Sequence, residues 1–318
     1  MAKKKGCLGC SFPVAIIILL ALLGIGVVSF LSGTLGKVFF GDLGLPAWLS
    51  VPTPSPEIPA STLFHVFNYP VTNTTITAWL SIILLTVVFY FGTRKLKMVP
   101  GRFQMALESV IGYVSDLCND VVGEKYGRKF FVFVTTIFLF VITNAWMGLI
   151  PGVGSIIVHT AEGEAELFRA ANTDINLPLA LAILAFFFIE YWGIKINGFK
   201  YFGRFANTRK FTSSTGKLLK GDVKAGIGGM LLGFIDIFIG IIELFSELMR
   251  IVSFTFRLFG NMIGGEILLL MMLSLAPFLL AIPFYGLEVL VGFIQALVFS
   301  SLTLVFTQMA ITPSHQED

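Results

Sequence analysis

Charge is scarce in this chain. Of its 318 residues only 13% are Asp, Glu, Lys or Arg, against about 25% in an ordinary soluble domain. With 56% hydrophobic residues and a mean hydropathy of +0.87, the chain reads as a polytopic membrane protein. Cysteine is nearly absent: three residues, an odd number, give no disulfide framework. Cys7 and Cys10 stand in a C-x-x-C spacing, but no second pair or histidine cluster follows, so lipid attachment or chance explains the spacing better than a metal or redox site. The three histidines, His65, His159 and His315, fall in loops or termini, which argues against a membrane enzyme with a clustered catalytic centre. No G-x-x-x-x-G-K-S/T motif is present, so nucleotide hydrolysis is not expected of this chain, and no cofactor is expected either. Gly226, Gly228, Gly229, Gly233 and Gly240 suit close helix contacts better than a phosphate cradle. A net charge of +3 and a pI near 8.7 do not indicate a nucleic-acid partner in so apolar a chain; what matters is which loops hold the basic residues.

Long apolar runs are what the sequence has in abundance. An almost unbroken run over residues 14–30 follows Lys3, Lys4 and Lys5. It is either a cleaved signal peptide or a retained first helix; its length and the lack of an A-x-A site favour a retained anchor. Residues 1–33 thus form an N-terminal anchor or signal segment. The stretch 32–62 carries Pro46, Pro52, Pro54, Pro56 and Pro59, which argues against regular helix, and residues 34–71 read as a Pro-rich extracytoplasmic segment. Residues 72–318 form the main membrane domain. Its spans are expected over 75–92, 130–150, 175–194, 227–275 and 283–310, about six crossings with the first segment, and the fold class is all-α. The tract 227–275 would run roughly 70 Å as one helix, more than twice the hydrocarbon thickness, so it must tilt, bend or split into a hairpin.

Loop charge gives orientation. Lys3–Lys5, Arg94, Lys95, Lys97, Arg128, Lys129 and the loop holding Lys195, Lys200, Arg204, Arg209, Lys210, Lys217, Lys220 and Lys224 belong on the cytoplasmic side, with both termini there if the first segment is retained. The Pro-rich segment and the acidic Glu162, Glu164 and Glu166 then lie outside. Between residues 102 and 125, Phe103, Leu107, Val110, Val114, Leu117 and Val121 recur at helical spacing among Glu108, Asp116, Asp120 and Glu124. This predicts an amphipathic helix at the cytoplasmic interface, anchored on lipid or meeting a partner.

One apolar tract contains charges. At about 100° per residue, Asp236, Glu243, Glu247, Arg250, Arg257 and Asn261 fall within roughly 80° of one another, a single polar stripe. Ile237, Phe238, Ile241, Ile242, Leu244, Leu248 and Met249 occupy the rest of the circumference. A guanidinium at bilayer depth costs roughly 2.5–3.5 kcal/mol on insertion scales, so it faces a polar cavity, a partner charge or an ion path. Glu266 lies about 13.5 Å beyond Arg257 along an ideal helix, too far for an i,i+4 ion pair. In the last span Glu288 and Gln295 share one helical face; antiparallel packing would bring Glu288 near Glu266 and Gln295 near Arg257.

The run Arg257-Leu258-Phe259-Gly260-Asn261-Met262, followed by Glu266, resembles the signature of subunit a of the F-type ATP synthase. Asn144 to Gly152 and Gln295 agree in order, and the resemblance extends from about Phe64 to Ala310. It implies a long, strongly tilted helix pair facing a c-ring, peripheral-stalk b subunits as further partners, and a bacterial inner-membrane location. It implies two aqueous half-channels with Arg257 between them, translocating H+ or Na+, most readily H+. Glu266 and Glu288 would line the non-cytoplasmic channel with Asn261 and Gln295 supporting the arginine, and Asp236, Glu243 and Glu247 would line the cytoplasmic one. The chain departs from the pattern twice: both members of the 266/288 pair are glutamates where many relatives carry one histidine, and Ile251 stands where proline is common. Two carboxyls in one apolar cavity resist simultaneous ionisation. A secondary ion-coupled transporter is the alternative, but no paired helix interruption is visible in two halves of the chain.

Overall fold

A backbone crossing hydrocarbon finds no water to bond, so each apolar run satisfies its own N–H and C=O groups by coiling into helix. The computed structural model describes residues 12–41, 46, 59–67, 69–150, 152, 156–160, 163–198, 201, 223–278 and 281–312. Its helices are α1 (Phe12–Ser32), α2 (Thr34–Phe40), α3 (Asn73–Thr93), α4 (Arg102–Val122), α5 (Glu124–Met147), α6 (Asn176–Asn197), α7 (Val223–Leu275) and α8 (Ala281–Ile311). Among the described residues six segments, Pro13–Ser32, Asn73–Thr93, Glu124–Met147, Asn176–Asn197, Gly233–Leu275 and Ala281–Ile311, are long and apolar enough to cross a membrane. Helix α7 is one unbroken run of 53 residues. At 1.5 Å per residue that is about 80 Å, far beyond a hydrocarbon core of about 30 Å, so tilt rather than a hairpin absorbs the excess.

Two short antiparallel hairpins stand outside the helices, β1 (Thr62–Val66) with β2 (Tyr69–Thr72) and β3 (Ile157–Thr160) with β4 (Gly163–Glu166). They mark one end of the bundle; Arg94, Lys95, Lys97, Arg128, Lys129 and Lys195 mark the other. The mostly helical class holds, with these hairpins as an addition to the all-α expectation. A second correction concerns the Pro-rich stretch, because α2 occupies its first residues: the prolines begin only at Pro46 and leave Thr34–Phe40 free to coil. Cys7, Cys10, Lys3–Lys5, His315, Pro52, Pro54, Pro56, Glu162 and most of the basic loop after α6 lie outside the described residues, as do the surroundings of Gly226, Gly228 and Gly229 and the side chain of Glu164.

The core forms where α5 packs between α4 and α8 while α6 closes on α7 and α8. Phe130, Val134 and Val141 of α5, Ala182 and Ala185 of α6, Leu258 of α7 and Phe299 of α8 are among its buried members. Phe130 meets Trp192 at 4.9 Å and Phe188 at 5.6 Å, both edge-on, the geometry aromatic quadrupoles favour. Helix α4 is amphipathic as expected, yet only its second half is buried: Val114, Cys118 and Val122 are enclosed while Phe103 and Val110 remain exposed. It ends at Gly123, whose φ of 78° lets the chain turn directly into α5.

At the hairpin end, α3 presents a buried polar face of Asn73, Thr74, Thr77 and Ser81. That face grips the loop after β4: Asn73 Nδ2 donates to Glu166 O (3.3 Å), Thr74 Oγ1 to Asp174 Oδ2 (3.1 Å), and Arg169 N to Thr77 Oγ1 (3.3 Å). Helix α1 is exposed along most of its length, but its last turn is fastened to the end of α7. Phe278 N donates to Ser29 Oγ (3.1 Å) and Thr34 Oγ1 to Ser274 O (3.1 Å).

Helices α7 and α8 run antiparallel along a ladder of contacts. Arg250 lies over the Phe306 ring at 4.1 Å, Phe254 meets Phe299 at 4.9 Å, and Asn261 Nδ2 donates to Gln295 Oε1 at 2.7 Å. At the top, the Glu288 carboxyl sits where a Cβ on Gly265 would be. The pairing is therefore the antiparallel one expected from spacing, with Gln295 one helical turn from Arg257 and Glu288 beside the neighbour of Glu266.

Two outcomes test this packing. Burial pushes the Cys118 thiol up to about 11, so at pH 8 only about one thiol in a thousand is ionised. In a Cys7→Ser, Cys10→Ser background, maleimide is expected to leave Cys118 unmodified until the protein is denatured; labelling of the native form at the rate of an exposed thiol would contradict the burial. Gly265→Ala is expected to lower the heat-unfolding midpoint of the purified complex by an overpacking penalty of about 1–3 kcal/mol. Adding Glu288→Ala is expected to recover most of that loss, and Gly260→Ala, whose Cβ meets nothing, to leave the fold intact; a Gly265→Ala midpoint equal to wild type would refute the close contact.

Candidate functional site

Helix α7 turns one flank to lipid and another to its own bundle. Phe234, Phe238, Ile241, Phe245, Leu248, Val252 and Phe256 form an exposed apolar ridge at three- and four-residue steps, the face an isolated hydrocarbon-spanning helix would offer to acyl chains. Phe254, Leu258, Met262 and Leu269 are buried against the bundle. The polar residues of the stripe lie along the boundary between these faces, and they occupy separate levels along the axis.

Toward the basic end, Arg250 and Glu247 form an i,i+3 ion pair, Nη1 to Oε2 at 2.6 Å and Nη2 to Oε1 at 2.9 Å. The guanidinium is capped by Phe306, a cation–π contact that adds to the pair in a desolvated place. Glu243 and Asp236 lie further along the helix in the same direction and are half-buried.

About 10.5 Å further up the axis comes Arg257. Its guanidinium lies 5.9 Å from the Phe254 ring centroid, and Nη1 is buried with no hydrogen-bond partner among the described residues. One turn on, Asn261 bonds Gln295 of α8. Beside this level, Ala145, Ala170 and Met262 pack together, joining α5, the loop after β4 and α7. The neighbouring Asn144 Oδ1, both side-chain atoms of Asn172, and Gln295 Nε2 are buried without partners among the described residues. Buried polar atoms of this kind are destabilising unless something polar meets them.

At the hairpin end stands the contact that spacing alone did not reveal. Arg169 takes the Glu266 carboxylate in a fork: Nε donates to Oε1 (2.9 Å) and Oε2 (3.2 Å), and Nη2 to Oε2 (3.1 Å). The Arg169 side chain is 9% exposed and that of Glu266 28%. Glu288, 4% exposed, lies against Gly265 with Oε1 lacking a partner among the described residues. Glu266 thus has a guanidinium partner that the spacing of the two carboxyls did not indicate. Its signal was present in the sequence, since Arg169 is the one lysine or arginine between Lys129 and Lys195 and lies in the loop between two membrane spans opposite the basic end.

His65 stands in β1 and His159 in β3, remote in sequence from the charged stripe, and no cluster of His, Cys, Asp and Glu suited to a metal occurs among the described residues.

Comparison with known proteins bears on the same residues. The family model of the ATP synthase A chain matches residues 75–308, a range that begins in α3 and ends in α8. The chain is similar to ATP synthase subunit a 3 of Pelobacter propionicus, 34% identical over 237 residues that cover 74% of this chain and 86% of that protein. It is similar to ATP synthase subunit a of Geotalea daltonii, 34% identical over 238 residues with 74% and 86% covered. ATP synthase subunit a of Helicobacter pylori is 30% identical over 254 residues, 78% of this chain and 96% of the relative. The chain therefore belongs to the ATP synthase A chain family, as a non-catalytic, multi-pass membrane subunit of the Fo sector engaged in proton transport.

Proposed function

We propose that this chain is the stator of the Fo motor in which Arg257 separates two half-channels at the surface of a rotating c-ring. The observation that carries the reading is the unequal treatment of the three arginines. Arg250 and Arg169 each hold a carboxylate, whereas Arg257, between them, leaves a buried N–H without a hydrogen-bond partner among the described residues. An intramembrane cation without a permanent partner is best accounted for by a transient one, and a carboxylate carried past by each c subunit has the required charge. The surface supports a close approach: Ser253, Gly260, Asn261 and Gly264 are exposed around Arg257, and nothing lies within 4 Å of the Cβ positions of Gly260 and Gly264. Small residues let a second helix come near.

In this reading Glu266 and Glu288 line the channel at the hairpin end, and Asn261 with Gln295 holds the helix pair beside the arginine. Asp236, Glu243 and Glu247 line the channel at the basic end, Glu247 being fixed there by Arg250. The basic end faces the cytoplasm of a bacterial cell by the charge of its loops. The fastening of α1 through Ser29, Gly33 and Thr34 supports a retained anchor, and the exposed faces of α3 and α4 are available to the b subunits of the peripheral stalk. A c-ring carboxylate takes a proton from one channel, passes through lipid as a neutral acid and releases the proton to the other. A guanidinium is a permanent cation, so Arg257 favours the ionised carboxylate as it arrives and bars a direct leak between the channels. The unbroken α7 speaks against the discontinuous helices on which secondary transporters build their sites.

Arg257→Ala in the assembled complex is expected to abolish ATP synthesis driven by an ion gradient while the detached catalytic head hydrolyses ATP at its normal rate. Arg257→Lys is expected to be a poor substitute, since burial strips a lysine of its proton more readily. Coupled synthesis near the wild-type rate in Arg257→Ala vesicles would sink the reading.

A further inference from the structure

We infer that Arg169 is the positioning residue of Glu266, an inference that rests on the proposed role of Glu266 in proton passage. The geometry is specific. Two N–H groups hold the carboxylate: the single Nε proton is shared between Oε1 and Oε2, and Nη2 donates to Oε2. Both oxygens are engaged on the side that faces the guanidinium, so the fork fixes the plane of the Glu266 carboxylate and leaves its far edge as the side from which a proton arrives.

The guanidinium is itself held. Nη1 donates to Pro59 O (3.2 Å), and the Arg169 backbone N–H donates to Thr77 Oγ1 of α3 (3.3 Å). Thr77 is buried, and its hydroxyl also donates to Asn73 O (3.1 Å), which fixes the acceptor lone pair that Arg169 uses. Just beyond, Asn172 and Thr173 are buried in the 3-10 turn Ala171–Thr173, with Thr173 Oγ1 donating to Ala170 O (2.7 Å). The loop that carries Arg169 is therefore anchored on both sides of the side chain. Helix α7 supplies Glu266 and the segment before β1 supplies Pro59 to the guanidinium, and α3 supplies Thr77 to the backbone N–H, so one residue relates three parts of the chain that are remote in sequence. Lysine has no second N–H in the plane of the carboxylate and would keep the charge while losing the fork.

The test uses the whole ATP synthase reconstituted in liposomes, with passive proton flux through Fo measured after the catalytic head is stripped. Arg169→Gln is expected to assemble with a normal c-ring complement and to slow flux about tenfold or more, as misplacement of a reacting group does. Arg169→Lys is expected to recover part of the rate. Arg169→Gln combined with Glu266→Gln is expected to be no slower than the slower single variant, because Arg169 acts only through Glu266. Wild-type flux in Glu266→Gln would overturn the proposed role of Glu266 whatever Arg169 does. Slow flux in Glu266→Gln with wild-type flux in Arg169→Gln, or losses that multiply in the double variant, would overturn the positioning role and leave that of Glu266 standing. If Arg169→Gln does not assemble, assembly of Arg169→Lys with reduced flux supports the inference; failure of both to assemble reduces Arg169 to a structural brace and overturns it.

Discussion

An ion inside hydrocarbon must be compensated by a partner within a few ångströms, and the architecture of this chain follows from how its long helix meets that demand. Glu247, Arg250, Arg257 and Glu266 all project from α7. Two of the compensations need other parts of the fold: Phe306 of α8 must lie over Arg250, and the loop after β4 must deliver Arg169 to Glu266. The antiparallel packing of α8 and the placement of the hairpin-end loop are thus electrostatic requirements as much as packing solutions. The apolar core beneath, with Phe254 and Leu258 buried against Phe299 and its neighbours, supplies the rigidity that keeps those partners in register.

Backbone proximity matters as much as charge. Gly265 brings α7 so near α8 that the Glu288 carboxyl occupies the space of a missing side chain. A larger residue at that position would push Glu288 away from the level of Glu266. Gly260 and Gly264, one and two turns from Arg257, lie on the open side with nothing against them. The same residue type therefore serves two opposite faces of one helix, drawing in a partner that belongs to the chain on one side and leaving room for a partner outside the chain on the other.

Much of this was legible in the sequence, and the reasons are physical. Hydropathy locates spans because hydrocarbon forbids unsatisfied backbone, and so the six crossings and the uninterrupted tract before Leu275 stand near where composition put them. Equal spacing on two antiparallel helices put Gln295 near the Arg257 level and Glu288 near the Glu266 level, and the structure seats them on Asn261 and Gly265 at those levels. Helix α2 and the two hairpins were not legible, because elements of four to seven residues leave too short a periodic signal, and the prolines nearby masked the first. Arg169 was hidden for another reason. It reaches a partner 97 residues away in the sequence, through a loop whose path no periodicity describes; only its isolation as a cation on the less basic side of the membrane pointed to it.

The two ion pairs differ in what they depend on, and the difference bears on how the site works. Glu247 and Arg250 lie one turn apart on a single helix, so their pairing forms with α7 itself and survives any rearrangement of the bundle. Arg169 and Glu266 pair only when α3, the loop after β4 and the segment around Pro59 are all in place. A disturbance at the hairpin end is therefore transmitted to the Glu266 carboxylate and not to the Glu247 level. If each pair borders one half-channel, the two channels are unequal by construction: one is bordered by a carboxylate fixed within its own helix, the other by a carboxylate whose orientation depends on the fold of the loops above it. Arg257 stands between the two and forms an ion pair with neither. In the proposed reading its electrostatic state is governed by what passes along the exposed flank of Ser253, Gly260 and Gly264, the condition a stator arginine must meet to release each carboxylate after attracting it.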